Sequence, residues 1–207
     1  MIKKPRSETK LRYLIAHETA KIMAEEGIKD YRLAKSKAAN RLGQSLQTCL
    51  PSNSEVEAAL LEYQRLFKAN SHPSELHQVR KKTIQVLSLL KEFNPHLVGP
   101  VLTGLYTPHL EVYLHLYAAT VEDVMFFLMD QGITFKNRER RYRFQNNTYE
   151  YHPVLLCNID DTEFDITVFT KHQIYEVPYS QITGKPLPRA TRGELEQLLR
   201  HTVSEAL

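Results

Sequence analysis

Between Leu97 and Leu116 the chain reads LVGPVLTGLYTPHLEVYLHL, and this stretch constrains the fold more than any other. A short apolar run comes first, then a turn carrying Gly99, Pro100 and Gly104, then a segment of strict alternation from Leu110 to Tyr117. With a side-chain period of two, Glu111, Tyr113, His115 and Tyr117 share one face of a strand, and Val112, Leu114 and Leu116 share the other. Such a strand belongs in a sheet whose apolar side lies on a core.

The residues around it supply the rest of that sheet. His96 to Val101 is a β-type run. Thr120 caps a helix, VEDVMFFLMDQG, whose Glu122 and Asp123 suit the positive end of the helix dipole, and Gly132 stops it. Ile133 to Lys136 begins another strand, and Arg138 to Phe144 is a basic extended segment. Tyr149 to Ile159 and Glu163 to Phe169 form an antiparallel hairpin across Asp160-Asp161. Asp165 and Thr167 share one face of its second strand, opposite Phe164, Ile166 and Val168. Were this strand a neighbour of the alternating one, Glu111 and Asp165 would approach each other on the polar side. A helix from Thr191 to about Glu205, with Leu195, Leu198, Leu199 and Val203 inward, closes the pattern.

The first 94 residues read as four helices. Ser7 caps one running to about Glu26, with Leu11, Leu14, Ile15 and Ile22 on one stripe. Asp30 starts a second that Gly43 ends, and Asn53 or Ser54 caps a third through about Phe67. A fourth runs from Glu75 to Phe93, burying Val79, Thr83, Val86, Leu87 and Leu90 and leaving Arg80-Lys81-Lys82 to solvent, until Asn94-Pro95 stops it. The expected fold class is α+β, a helical domain over 1–94 followed over 95–207 by a mixed β-sheet layered with helices.

Composition narrows the function. The longest apolar run, Val124 to Met129, is far short of the roughly 20 residues a membrane span needs. The basic start MIKKPRSETK leads into His17, Glu18, Lys21 and Glu25 rather than an apolar core, so a cytoplasmic protein with no membrane partner is expected. Cys49 and Cys157 have no metal spacing. Residues 1–94 hold 17 Lys and Arg against 10 Asp and Glu, and residues 95–207 hold 10 against 14. A basic half could take an anionic partner, RNA included, through helices 30–42 and 75–92. On the first of these, however, Arg32, Lys35, Lys37 and Arg41 flank a narrow strip of Leu33, Ala34, Ala38 and Leu42, the pattern of a solvated surface helix. Gly-rich phosphate loops, Gly-x-Ser-x-Gly, Cys-x-x-Cys and His-Glu-x-x-His are all missing from the sequence.

The central stretch resembles the nucleotidyltransferase superfamily, the DNA polymerase β-like fold. Gly99-Pro100 falls at the Gly-Ser turn of that family and Gly104 at a second glycine common in its minimal members. Pro108 and Leu110-Glu111-Val112-Tyr113 fall at the proline and paired-carboxylate strand, and Asp165 in FDITV at the third acid. The likeness covers roughly residues 95–170, and EEGIKDYRLAKSKAANRLG is similar to the leader of a bacterial group of such proteins. It implies catalytic and metal-binding roles for Glu111 and Asp165 with Mg²⁺, and a nucleotide seated by Gly99 and Gly104. Arg141 and Arg143, on one face of their strand, are further candidates for its phosphates, and Arg138 and Arg140 lie on the other face.

The sequence also departs from the pattern. Carboxylates two apart on a strand point the same way to hold two Mg²⁺ ions about 3.5–4 Å apart. Here Tyr113 stands at the second acid, and a phenol with pKa about 10 is a poor Mg²⁺ ligand. Pro100 lacks the N–H and hydroxyl of the usual serine. Three functions follow as expectations. The first is a nucleotidyltransferase-like protein with a degenerate metal site, binding a nucleotide or a protein partner with little or no catalysis. The second is an active enzyme moving a nucleoside monophosphate to a hydroxyl. The third is an RNA-binding module using the basic helices.

Overall fold

The structure is a computed structural model that describes residues 6–28, 30–43, 49–67, 72–105, 111–180 and 183–204. The chain divides into two compact units, the first reaching His72 and the second continuing from Pro73. The expected division at 94 falls inside the second unit.

The first unit holds helices α1 (Arg6–Glu26), α2 (Tyr31–Arg41) and α3 (Asn53–Phe67). Asp30 caps α2 as expected, its carboxylate accepting from the backbone N–H of Arg32 and Leu33. Its core is made largely of small residues, Ala16, Ala20, Ala24, Ala34, Ala38 and Ala39, around Ile15, Ile22 and Leu60. Small side chains let helix axes approach closely, and that moves the buried stripe. Leu14, expected on the apolar stripe of its helix, is 44% exposed, and Leu33, on the narrow strip of α2, is 57% exposed.

One basic flank of α2, Lys37 and Arg41, is internally paired. Arg41 reaches Glu18 at 3.1 Å and Glu26 at 2.7 Å, and Lys37 also pairs with Glu26. Arg12 holds Glu55 at 2.7 Å, and this hydrogen bond, with help from Ser52, pushes the Glu55 carboxyl down to about 2.

The second unit contains α4 (His72–Leu89), β1 (His96–Val98), α5 (Pro100–Thr103), β2 (Val112–Ala118), α6 (Val121–Asp130), β3 (Phe135–Arg143), β4 (Tyr149–Ile159), β5 (Thr162–Thr170), β6 (Arg189–Ala190) and α7 (Arg192–Ser204). Six strands form one sheet in the order β3-β4-β5-β2-β1-β6, antiparallel throughout except for the parallel pair β2 and β5. The mixed α+β class is as expected. Segments 133–136 and 138–144, separate in the sequence reading, merge into β3.

One face of the sheet carries Leu97, Val112, Leu114, Leu116, Phe164, Ile166 and Leu155, which are at most 1% exposed and pack with Leu87 and Leu90, Val124 and Leu128, and Leu195. At about 1.5–3 kcal/mol per buried large apolar side chain, this layer dominates the stability of the unit. Thr120 and Asp123 close the capping box of α6, and the hairpin turn puts Asp160 and Asp161 at φ 49° and 59°. Arg80, expected in solvent, is buried. Its Nε donates to the Val101 carbonyl at 3.0 Å and its Nη2 to the Leu102 carbonyl at 3.2 Å, fixing the turn around α5. Among the described residues, no helix is long and apolar enough to cross a membrane.

Candidate functional site

The other face of the sheet is polar, and the strand register decides what meets on it. Asp165 lies directly opposite Tyr113 on β2 and Leu156 on β4, and Leu156 lies opposite Lys136 on β3. The next row on this face holds Arg138, Val154, Thr167 and His115. The expected neighbouring of Glu111 and Asp165 is therefore met by strand order: both line one cleft of about 460 Å³, with Lys136, Arg138, Asn158 and Glu163 among its other walls.

Neither acid faces that cleft alone. Arg140, on the same face of β3, reaches across β4 and grips Asp165 with both arms. Its Nη1 donates to Oδ1 at 2.8 Å and its Nη2 to Oδ2 at 2.6 Å. The Asp165 side chain is 3% exposed and that of Arg140 37%. The guanidinium also lies 5.4 Å from the centre of the Tyr113 ring. Burial by itself would lower the Arg140 pKa, but the Asp165 carboxylate and the Tyr142 hydroxyl outweigh it and raise it. A forked cation on a forked anion is the strongest form of protein ion pair. Beside it, the Tyr113 hydroxyl donates to Glu111 Oε2 at 2.8 Å. Burial, then that carboxylate, push the phenol pKa up, so it stays a donor at neutral pH.

Deeper on the same face is an aromatic and histidine cluster. His115 is 2% exposed, with its ring centre 4.7 Å from that of Phe169, and the Tyr142 hydroxyl lies 3.4 Å from its Nε2 and 2.8 Å from Thr167 Oγ1. Desolvation drives the His115 pKa down to about 3, so the ring is neutral and a weak base. Cys157 borders the cleft, but its side chain packs in the apolar core of the other face, where burial raises the thiol to about 12 and keeps it protonated at neutral pH.

The remaining sequence candidates lie elsewhere. Gly99, at φ 74°, starts α5 with its Cα against β2, where an added Cβ would stand 3.3 Å from the Tyr113 ring. Gly104, at φ 90°, ends α5. Both shape the turn, but neither lines the cleft. Arg141 and Arg143 sit on the opposite face from Asp165, across from Tyr151 and Tyr149. Arg143 lies over Tyr179 and donates to the Gly184 carbonyl at 3.4 Å. The structure thus brings together Glu111 and Asp165, and leaves out the two glycines and the two arginines. The residue missed for Asp165 is Arg140. Its signal was present: an aspartate inside the apolar strand FDITV needs a counter-charge.

As they stand, these side chains do not fit a pair of Mg²⁺ ions. Both Asp165 oxygens are taken by Arg140, one Glu111 oxygen by Tyr113, and no group of three or more metal-capable side chains occurs among the described residues. Comparison with known protein families, with curated proteins and with solved structures finds no match to this chain.

Proposed function

We propose that this protein is a nucleotidyltransferase-like binding module in which an arginine has taken over the charge-balancing part of a metal ion. The observation that carries the reading is the two-pronged pair of Arg140 with Asp165, beside Tyr113 at the second acid position. Support also comes from topology. β1 is antiparallel to β2 and leads through Gly99 into α5, and the strand bearing Asp165 runs parallel to β2.

A fixed monovalent cation neutralises Asp165 but has no open coordination positions for a triphosphate and a hydroxyl. The site is therefore built to bind rather than to transfer. Lys136 and Arg138 line the cleft and have no ion-pair partner among the described residues. They suit an anionic ligand, and a nucleotide phosphate is the natural choice for such a fold.

The test is to incubate the protein with each ribonucleoside triphosphate, with and without Mg²⁺, measuring binding by calorimetry and turnover by pyrophosphate release. Binding that needs no Mg²⁺, weakens in Lys136→Glu and Arg138→Glu, and releases no pyrophosphate is expected. Mg²⁺-dependent pyrophosphate release that Glu111→Ala abolishes would overturn the reading in favour of an active transferase.

A further inference from the structure

Four cations of the helices that pointed to nucleic acid are bound within the protein, and the β3–β4 hairpin offers a second charged surface, with aromatic rings beside it. Lys37 and Arg41 on α2 are bound by glutamates, and on α4 Arg80 is buried while Lys82 donates to the Asp160 carbonyl at 2.6 Å. β3, by contrast, is an edge strand with the sequence FKNRERRYR. On the face away from the cleft it presents Asn137, Glu139 and Arg141, all exposed, and β4 adds Tyr149 and Tyr151 beside them, 49% and 65% exposed. The Arg141 guanidinium stacks 4.7 Å from the centre of the Tyr149 ring. Lys136 and Arg138 project from the other side of the same edge.

We infer that this hairpin is a binding surface for single-stranded nucleic acid. Two tyrosines on one face of one strand, about 6.8 Å apart along it, offer π-faces on which unpaired bases stack. Arg141 against Tyr149 extends that platform and carries a positive charge for the backbone, and Lys136 and Arg138 line the edge along which phosphates run. The opposing acids are few. Glu150, exposed on the cleft face, is held by Gln173 at 2.7 Å and lies 3.5 Å from His152, and Glu139 is the exposed carboxylate on the tyrosine face of the ribbon. Paired bases have no free face for such a platform, which is why single strands are the expected partner. Tyr149, Tyr151 and Arg141 lie across the sheet from the Arg140–Asp165 cleft and do not line it, whereas Lys136 and Arg138 are shared with it, so that part of the surface rests on the reading above.

The experiment is fluorescence anisotropy with the full chain and three probes: a labelled oligouridine, a duplex of equal length, and a glutamate-rich peptide that would add as a strand along the β3 edge. The oligouridine is expected to bind best. Its affinity should fall about twentyfold between 50 and 200 mM salt if three phosphates are met, at about 0.7 log units per phosphate for each tenfold rise in salt. Tyr151→Ala should weaken it about tenfold, while Tyr151→Phe keeps the ring and the affinity. Arg141→Glu should weaken it at least as much. These side chains are exposed, and an unchanged circular-dichroism melt separates lost binding from lost fold. Tighter binding of the duplex or the peptide overturns the inference. So does oligouridine binding that is indifferent to Tyr151→Ala, since bare charge attraction would then explain it.

Discussion

The two units of this protein handle charge in opposite ways. In the helical unit, Arg12 with Glu55 and Arg41 with Glu18 and Glu26 are ion pairs at the surface, with side chains between 24% and 45% exposed. In the sheet unit, Arg140 and Asp165 meet where the acid is almost wholly out of water. Surface pairs exchange one well-solvated state for another and contribute little. A buried carboxylate has no such alternative, so its partner becomes indispensable. Identical residue types therefore decorate one unit and organise the other.

The largest expected effect comes from removing the buried pair's cation. Arg140→Ala strands Asp165 and should cost about 3 kcal/mol, read by urea unfolding followed by circular dichroism. Asp165→Asn should cost less, since the half-buried guanidinium can turn toward water. A loss below about 1 kcal/mol for Arg140→Ala would erase the contrast between the units.

Next in size is a pH effect from the histidine cluster. The folded-state pKa of His115 is depressed to about 3, whereas the unfolded chain takes up that proton near 6.5. Below pH 6.5 the unfolded state binds the proton and the folded state refuses it. Stability is thus fully present above 6.5 and falls by up to about 1.4 kcal/mol per pH unit toward 3. His152 and His96 are also lowered, chiefly by desolvation, and add in the same direction. His115→Phe should flatten the stability profile between pH 6 and 4, and an unchanged slope would show that the ring is not held neutral.

Smaller still, Arg12→Ala should cost less than about 1 kcal/mol despite the depressed Glu55, because both groups keep much of their hydration. The smallest effect is expected from Lys37→Gln with Arg41→Gln, which should leave oligouridine affinity within about twofold of the parent, since glutamates already hold both cations. A large drop would return nucleic-acid binding to the helices.

Much of the fold was legible because its signals are local. The Thr120 cap, the Asp160-Asp161 turn and the Asp30 cap each lie within a few residues and appear where the sequence placed them, and the alternation expected from Leu110 to Tyr117 becomes β2 from Val112, with Glu111 just before it and Leu110 outside the described residues. The site was half legible. Period two put Glu111 and Tyr113 on one face and Asp165 on another strand's polar face, but β3 and β5 are separated by β4 in the sheet. That Arg140, rather than Arg138 or Arg143, reaches Asp165 depends on three strand registers and on the length of an arginine side chain, none of which a single sequence states. Arg80 misled for a related reason. It sits in an Arg-Lys-Lys run that looks solvated, and only Val101 and Leu102 of α5, 21 and 22 residues on, give it carbonyls to bind. Leu14 misled because alanines on α1 took the inward positions.

The central claim is that Arg140 supplies the counter-charge of Asp165, so a divalent cation does not. Titration of the intact protein with Mn²⁺, following the free ion by electron paramagnetic resonance, tests it most directly. The prediction is that the ion stays free with the parent chain and is taken up when Arg140→Ala releases the Asp165 oxygens. Uptake of one equivalent by the parent, lost in Asp165→Asn, would contradict it.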